Sequence, residues 1–178
     1  MPAKWGVFQN GGDKFDLSHL DDRIATVRMG EVDVPIFVTF SDHCFTADPE
    51  ADDKRPAFPG CSRKDGRFCT KRYAASLEMW KHIERAMGGR VWMGQGDRYL
   101  VITVDLGEGR HYIVSFSLEK LKGRADAKLL MRVRTGFHRT DDKHVATYGE
   151  VRFVNLVGLI LKGKLPPRIY AQNRRTPW

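Results

Sequence analysis

Two runs typical of β-strands, Arg110–Leu118 and Lys128–Gly136, alternate apolar with polar residues. Because successive side chains of a strand point to opposite faces of a sheet, this alternation separates each run into an apolar face and a polar face. The polar face collects histidine, hydroxyl and arginine side chains. We expect it to carry His111, Ser115, Ser117, Arg132, Arg134 and, if the second strand runs on, His138.

These residue types suit chemistry at a phosphodiester. Arginine clamps phosphate through two parallel hydrogen bonds, and histidine exchanges protons near neutral pH. One imidazole could remove a proton from a ribose 2′-hydroxyl, the other could protonate the leaving 5′-oxygen, and the guanidinium groups could hold the developing charge. The predicted catalytic set is therefore His111, Arg132, Arg134 and His138, without a metal or cofactor. The pattern does not decide which histidine is the base, and an inactive solvated sheet face would carry similar residues.

The charge distribution favours an anionic partner. The 178 residues carry a net charge of +8 and have a sequence pI near 9.6. Residues 1–60 hold six Lys and Arg against eleven Asp and Glu, a net of −5, whereas residues 61–178 hold 24 against 11, a net of +13. A basic face made by the second part would bind nucleic acid, most simply RNA, and the acidic first third could face a protein partner. The residues expected to contact nucleic acid are Tyr99, Ser115, Ser117, Arg139, Arg174 and Arg175.

The stretches HYIVSF (111–116) and LLMRVRTGFHRTDD (129–142) resemble the compact ribonucleases grouped as barnase, EndoU, colicin and RelE-like, including the phage-encoded branch. Together they make up 20 of the 178 residues. The resemblance implies a helix followed by an antiparallel sheet whose polar face bears Arg, His and hydroxyl groups. It also implies His111, Arg132, Arg134 and His138 as candidate active-site residues.

The elements that would position these residues make an α+β fold, an antiparallel meander packed against one or two helices. A strand is expected over Val34–Phe40, and the meander over Tyr99–Leu106 and the two runs above. Apolar residues at helical spacing predict one helix over Lys71–Met87, capped by Thr70 and ended by Gly88 and Gly89. Glu150–Lys162 is predicted to be a buried helix, with a strand as the alternative.

We expect one domain over residues 1–178. Within it, residues 1–30 are Gly- and Asp-rich and could form an acidic arm, and residues 46–69 read as a long loop. The hydrophobic share of 42% excludes a disordered chain, and no window is apolar enough to predict a membrane helix.

Three cysteines are an odd number, which fits a reducing compartment and a cytoplasmic protein better than a disulfide framework. A zinc site made by His43, Cys44, Cys61 and Cys69 is the less favoured alternative, because the close cysteine pair typical of zinc sites is missing.

The leading functional hypothesis is a small metal-independent ribonuclease, toxin-like or a phage effector. The alternatives are a non-enzymatic module that binds nucleic acid through the same basic face, or an inhibitor or adaptor that binds another protein.

Overall fold

A computed structural model describes residues 4–62, 65–94, 100–105, 111–139 and 147–164. The strands are β1 Val7–Asn10, β2 Asp13–Asp16, β3 Arg23–Met29, β4 Val32–Phe40, β5 Thr46–Ala47, β6 Arg67–Phe68, β7 Arg90–Gly94, β8 Leu100–Asp105, β9 His111–Lys120, β10 Leu129–Arg139 and β11 Thr147–Arg152. The helices are α1 Thr70–Ser76, α2 Met79–Met87 and α3 Phe153–Leu161. None of these helices has the length and hydrophobicity needed to cross a bilayer.

Seven strands make one sheet in the order β11-β7-β8-β9-β10-β4-β3. Neighbouring strands are antiparallel except for β10 and β4, which pair in parallel. The predicted meander is confirmed as β8-β9-β10, and the predicted strand over Val34–Phe40 lies within β4. The fold class is α+β, as the sequence predicts.

The helices cover one face of this sheet, which we call the inner face. Val38, Phe116 and Met131 point from three strands into this core and are fully buried. The ring of Phe153 on α3 packs 6.3 Å from that of Phe116. We call the opposite side of the sheet the outer face.

The predicted helix over Lys71–Met87 is two helices separated by a turn at Leu77 and Glu78. Its apolar spacing assigns Leu77 to the buried face, yet Leu77 is 54% exposed while Met79 is fully buried. The turn shifts the phase of the second helix, which brings Met79 and Ile83 onto the core. Thr70 is the first residue of α1 and its side chain does not cap the helix.

Residues 4–30 are part of the folded unit rather than an arm. β3 pairs with β4 at one edge of the large sheet, and Leu17 and Leu20 are almost completely buried. The β1–β2 hairpin places Phe8 and Phe15 at centroid distances of 4.6 and 4.7 Å from the ring of Phe68. The Gly- and Asp-rich composition accompanies tight turns in this segment, with Gly6, Gly11 and Gly30 at positive φ, while Leu17, Leu20, Ala25 and Val27 supply its buried side chains.

The stretch predicted as a loop over residues 46–69 has little regular structure. Its two ends pair as the short strands β5 and β6. The stretch Glu150–Lys162 divides between the two predicted alternatives, because β11 continues to Arg152 and α3 then begins at Phe153.

Candidate nucleic-acid interface

The outer face of β9 carries the polar residues that alternation assigns to it, together with Ile113, which is only 4% exposed. Tyr112, Val114 and Phe116 are fully buried on the inner face, whereas the intervening Ser115 and Ser117 lie half-buried on the outer face. His111 is half-buried on the outer face at the start of the strand.

A β-bulge in β10 changes which of its side chains reach the outer face. Val133 pairs with Phe116 and Thr135 pairs with Ser115, so Arg134 is the extra residue between them. An extra residue shifts the alternation of everything that follows it.

His138 therefore lies on the inner face, and its predicted place beside the two arginines is wrong. It pairs with Tyr112, and the two rings are 5.0 Å apart between centroids. The same shift places Arg139 on the outer face, directly across from His111. Both Arg139 and His111 are half-buried.

Arg132 lies on the outer face opposite Ser117 and is exposed. Its guanidinium donates to Oε1 of Glu119 from Nε at 3.1 Å and from Nη2 at 2.9 Å. Both side chains of this ion pair are 54% exposed. A pair this exposed contributes about 0–1 kcal/mol, so a phosphate can replace the carboxylate at little cost.

Three of the four predicted catalytic residues, His111, Arg132 and His138, do not converge. His111 begins β9 and Ser117 lies six residues further along it, and six residues of strand span about 20 Å. Arg132 is level with Ser117 and hence about that far from His111. With His138 on the other face, two histidines cannot act on one phosphodiester in this arrangement.

Two cations near this face escape sequence analysis. Lys4 Nζ donates to Thr39 Oγ1 at 2.6 Å, and Thr39 is the β4 residue opposite Arg132. Arg72 on α1 donates to Thr135 Oγ1 and to the carbonyl oxygen of His43, both at 2.9 Å. No sequence signal identifies either residue, because both contacts join segments that are remote in the chain.

A second polar cluster surrounds the buried carboxylate of Asp42, at the end of β4. Asp42 accepts hydrogen bonds from Cys61 Sγ at 2.8 Å, from the amide of Ser62 at 2.8 Å and from Ser62 Oγ at 2.7 Å. Burial raises the pKa of Asp42, but these hydrogen bonds outweigh burial and hold its pKa below the ordinary value. Ser62 Oγ also lies 3.3 Å from Nε2 of His43. The cluster ties the 56–62 segment to the end of β4.

The alternative zinc set does not come together. Within the described ranges no three His, Cys, Asp or Glu side chains are arranged to hold a metal ion. Cys44 is fully buried, and burial raises the pKa of its thiol to about 12. Cys61 and Cys69 are half-buried.

Tyr99, Arg174 and Arg175, predicted to contact nucleic acid, lie outside the described residues.

Fold and site together define an α+β protein whose seven-stranded sheet is covered by helices on one face and carries basic and hydroxyl side chains on the other. A family model described as the YjaZ family matches residues 7–161, so the chain belongs to that family. No curated protein and no solved structure matches the chain. The resemblance to compact ribonucleases therefore stays a prediction.

Proposed function

We propose that this protein is a non-enzymatic module that binds RNA through the outer face of β9 and β10. The observation that carries the proposal is the bulge at Arg134. Without that extra residue Arg132 and Arg139 would lie on opposite faces of the sheet, because seven positions separate them. With it both guanidinium groups lie on the outer face, about 20 Å apart along β10.

Hydroxyl groups lie beside Arg132 and between the two arginines. Ser115 and Ser117 share the outer face with them, and Thr39 lies beside Arg132 on β4. Guanidinium and hydroxyl groups are common donors to phosphate oxygens in nucleic-acid complexes. A row of such donors follows the phosphates of a flexible single strand, and the excess positive charge of residues 61–178 adds long-range attraction.

The separation of His111 from Arg132, and the inward position of His138, favour binding over cleavage. The proposal also places the protein in the cytoplasm, since Cys44, Cys61 and Cys69 form no disulfide with one another.

Fluorescence anisotropy with a labelled single-stranded RNA of about 12 nucleotides tests the proposal. We expect binding at 50 mM KCl that weakens steeply toward 200 mM, because each phosphate contact on a single strand contributes a slope of about −0.7 in log K against log salt. The double variant Arg132→Gln/Arg139→Gln should bind at least about tenfold more weakly and lose up to about 1.4 of that slope.

A matched control removes the same charge elsewhere. Lys81→Gln/Lys162→Gln changes two exposed lysines on α2 and after α3, and should keep both affinity and slope. If the double variant has a lower thermal midpoint than the wild-type protein, the single variant Arg132→Gln, at an exposed position, replaces it in the binding measurement. Absence of binding at 50 mM KCl, or equal losses in the test and control variants, would overturn the proposal.

The His111–Arg139 neighbour pair supports ribonuclease activity as the second candidate, with one imidazole and one guanidinium at a phosphodiester. Gel analysis of the same RNA decides between the two candidates. Products that appear with the wild-type protein and vanish with His111→Gln establish cleavage, whereas intact RNA that remains bound supports the binding module.

A further inference from the structure

A cleft of about 430 Å³ opens where the two edges of the seven-stranded sheet approach each other. Arg28 from the edge strand β3 lines one side, and Arg90 of β7 and Arg152 of the other edge strand β11 line the opposite side. α3 packs against both β3 and β11 and so holds the two edges together. The fold thus gathers three arginines that are far apart in the sequence.

Arg90 and Arg152 are directly opposite each other in the β7–β11 pair. Like charges in that position destabilise a sheet. Glu150 forms an ion pair with Arg90, and Arg28 pairs with Asp33 at 3.3 Å on the exposed β3–β4 hairpin. The side chain of Arg152 has no hydrogen bond or ion pair with any described residue.

The N-terminus of α3 adds to the positive potential of the cleft. Arg152 is the N-cap residue, no side chain caps this end, and Val154 in the first turn lines the cleft. A helix N-terminus carries about half a positive charge, and here its first amide, that of Phe153, donates to the carbonyl oxygen of Gly89 at 3.0 Å. The carboxyl end of α2 also reaches the cleft at Gly88 and Gly89, with the opposite partial charge. The two helix ends offset each other, and the three guanidinium groups outweigh the two carboxylates of Glu150 and Asp33 by one charge.

We propose that this cleft binds a small phosphorylated ligand. Converging arginines match the geometry and charge of phosphoryl oxygens through paired hydrogen bonds, and a dianion would relieve the repulsion between Arg90 and Arg152. The volume lies within the range of small-molecule pockets. This site lies on β3, β7 and β11, away from the proposed RNA surface on β9 and β10.

Inorganic pyrophosphate in magnesium-free buffer is the probe, measured by isothermal titration calorimetry and by the shift of the thermal midpoint. We expect pyrophosphate to bind and to raise the midpoint of the wild-type protein. Arg152→Gln should weaken binding by about tenfold or more, because it removes a charged donor that holds no other partner among the described residues. Arg28→Gln, which changes an exposed side chain, should weaken binding in the same direction.

Two matched variants separate the cleft from the overall charge of the protein. Lys81→Gln removes one positive charge from the surface of α2 and should leave pyrophosphate affinity within about twofold. Glu150→Gln removes the carboxylate that competes for Arg90 and should tighten binding, whereas Asp13→Asn on the β1–β2 hairpin should not.

No pyrophosphate binding at millimolar concentration, or equal affinity in wild-type protein and Arg152→Gln, would overturn the inference. The RNA measurement distinguishes this failure from failure of the proposed function. Arg152→Gln should keep RNA affinity, and Arg132→Gln/Arg139→Gln should keep pyrophosphate affinity. An equal loss of RNA binding in Arg152→Gln would make the cleft part of the nucleic-acid surface and would reject the small ligand.

Discussion

His82 on α2 is a buried histidine whose ring packs 4.7 Å from that of Tyr112, centroid to centroid. It is 7% exposed, and its Nε2 lies 3.6 Å from a carboxylate oxygen of Glu78 one turn earlier. Burial lowers the pKa of His82 below its ordinary value, and the attraction of Glu78 only partly offsets this. The folded protein therefore holds this imidazole neutral at a pH where the unfolded chain has begun to protonate it.

This difference predicts a loss of stability in mild acid. A lowered pKa in the folded state means that the unfolded state binds more protons. The free energy of unfolding therefore falls as the pH drops below about 6.5. For one histidine this fall is at most about 1.4 kcal/mol per pH unit. Urea unfolding from pH 7.5 to 5 measures this slope, and His82→Phe should reduce it. His19, whose pKa burial also lowers, contributes its own share, which His19→Gln isolates. A slope that His82→Phe leaves unchanged contradicts the assignment.

The hydrogen bonds to the buried Asp42 carboxylate predict how substitutions of this residue change the stability of the protein. Asp42→Ala removes the acceptor of three hydrogen bonds at a position that is 3% exposed, and should lower the free energy of unfolding by about 2–3 kcal/mol. Asp42→Asn should cost less, since its amide oxygen still accepts two bonds while Ser62 Oγ accepts one. Chemical denaturation of both variants checks the order, and equal losses would show that packing rather than hydrogen bonding holds the 56–62 segment.

Gly136 marks how closely β10 approaches the helices after its bulge. A Cβ built at this position would lie 2.9 Å from Tyr112 Oη and would clash with Met79 Cε. Tyr112 Oη is itself fixed by donating to the carbonyl oxygen of Ala75 at 2.7 Å. The absence of a side chain at residue 136 therefore lets α1 and α2 pack directly on the strand.

Gly136→Ala should lower the free energy of unfolding by about 1–3 kcal/mol, because the added methyl group overpacks the core. Met79→Ala should lower it by about 2–5 kcal/mol, because it leaves a cavity. Because the new methyl group and the lost side chain occupy the same space, the double variant should lose less than the sum of the two. Gly12→Ala is the control, since a Cβ there meets nothing within 4 Å. Strict additivity in urea unfolding would show that β10 and α2 are not in direct contact.

Across the whole molecule, α3 joins the first and last strands of the large sheet. Leu156 and Val157 are buried in the core, and Met29 of β3 reaches within 3.2 Å of a Cβ built at Gly158. Since β11 leads directly into the same helix, both sheet edges depend on its docking.

Leu156→Ala should therefore lower the free energy of unfolding by about 2–5 kcal/mol and increase hydrogen exchange in β3 and β11 together. Leu77→Ala, at a side chain that is 54% exposed, should change neither by a comparable amount. Faster exchange at β11 alone would mean that the two edges are stabilised separately.

Local patterns predict much of this fold. Alternation over His111–Leu118 correctly separates Tyr112, Val114 and Phe116 from Ser115 and Ser117, because the two-residue period is a property of the strand itself. It does not predict that Ile113, on the same face as the two serines, is also buried. The apolar spacing from Lys71 to Met87 predicts helix, although not the turn at Leu77 and Glu78. The α+β class follows from the order of such segments.

Long-range pairing decides the rest. Parity places His138 beside Arg132 only if β10 has no bulge, and the bulge occurs where β4 ends and Ser41 donates to the carbonyl oxygens of Val133 and Arg134 at 2.9 and 2.6 Å. That contact joins residues more than ninety positions apart, and no local pattern encodes it. The meeting of Arg28 with Arg90 and Arg152 likewise depends on α3 bridging two sheet edges. The sequence by itself determined which residues are basic and which faces are apolar, whereas the tertiary structure alone decided which cations share a surface, because register and edge placement are set by contacts between distant segments.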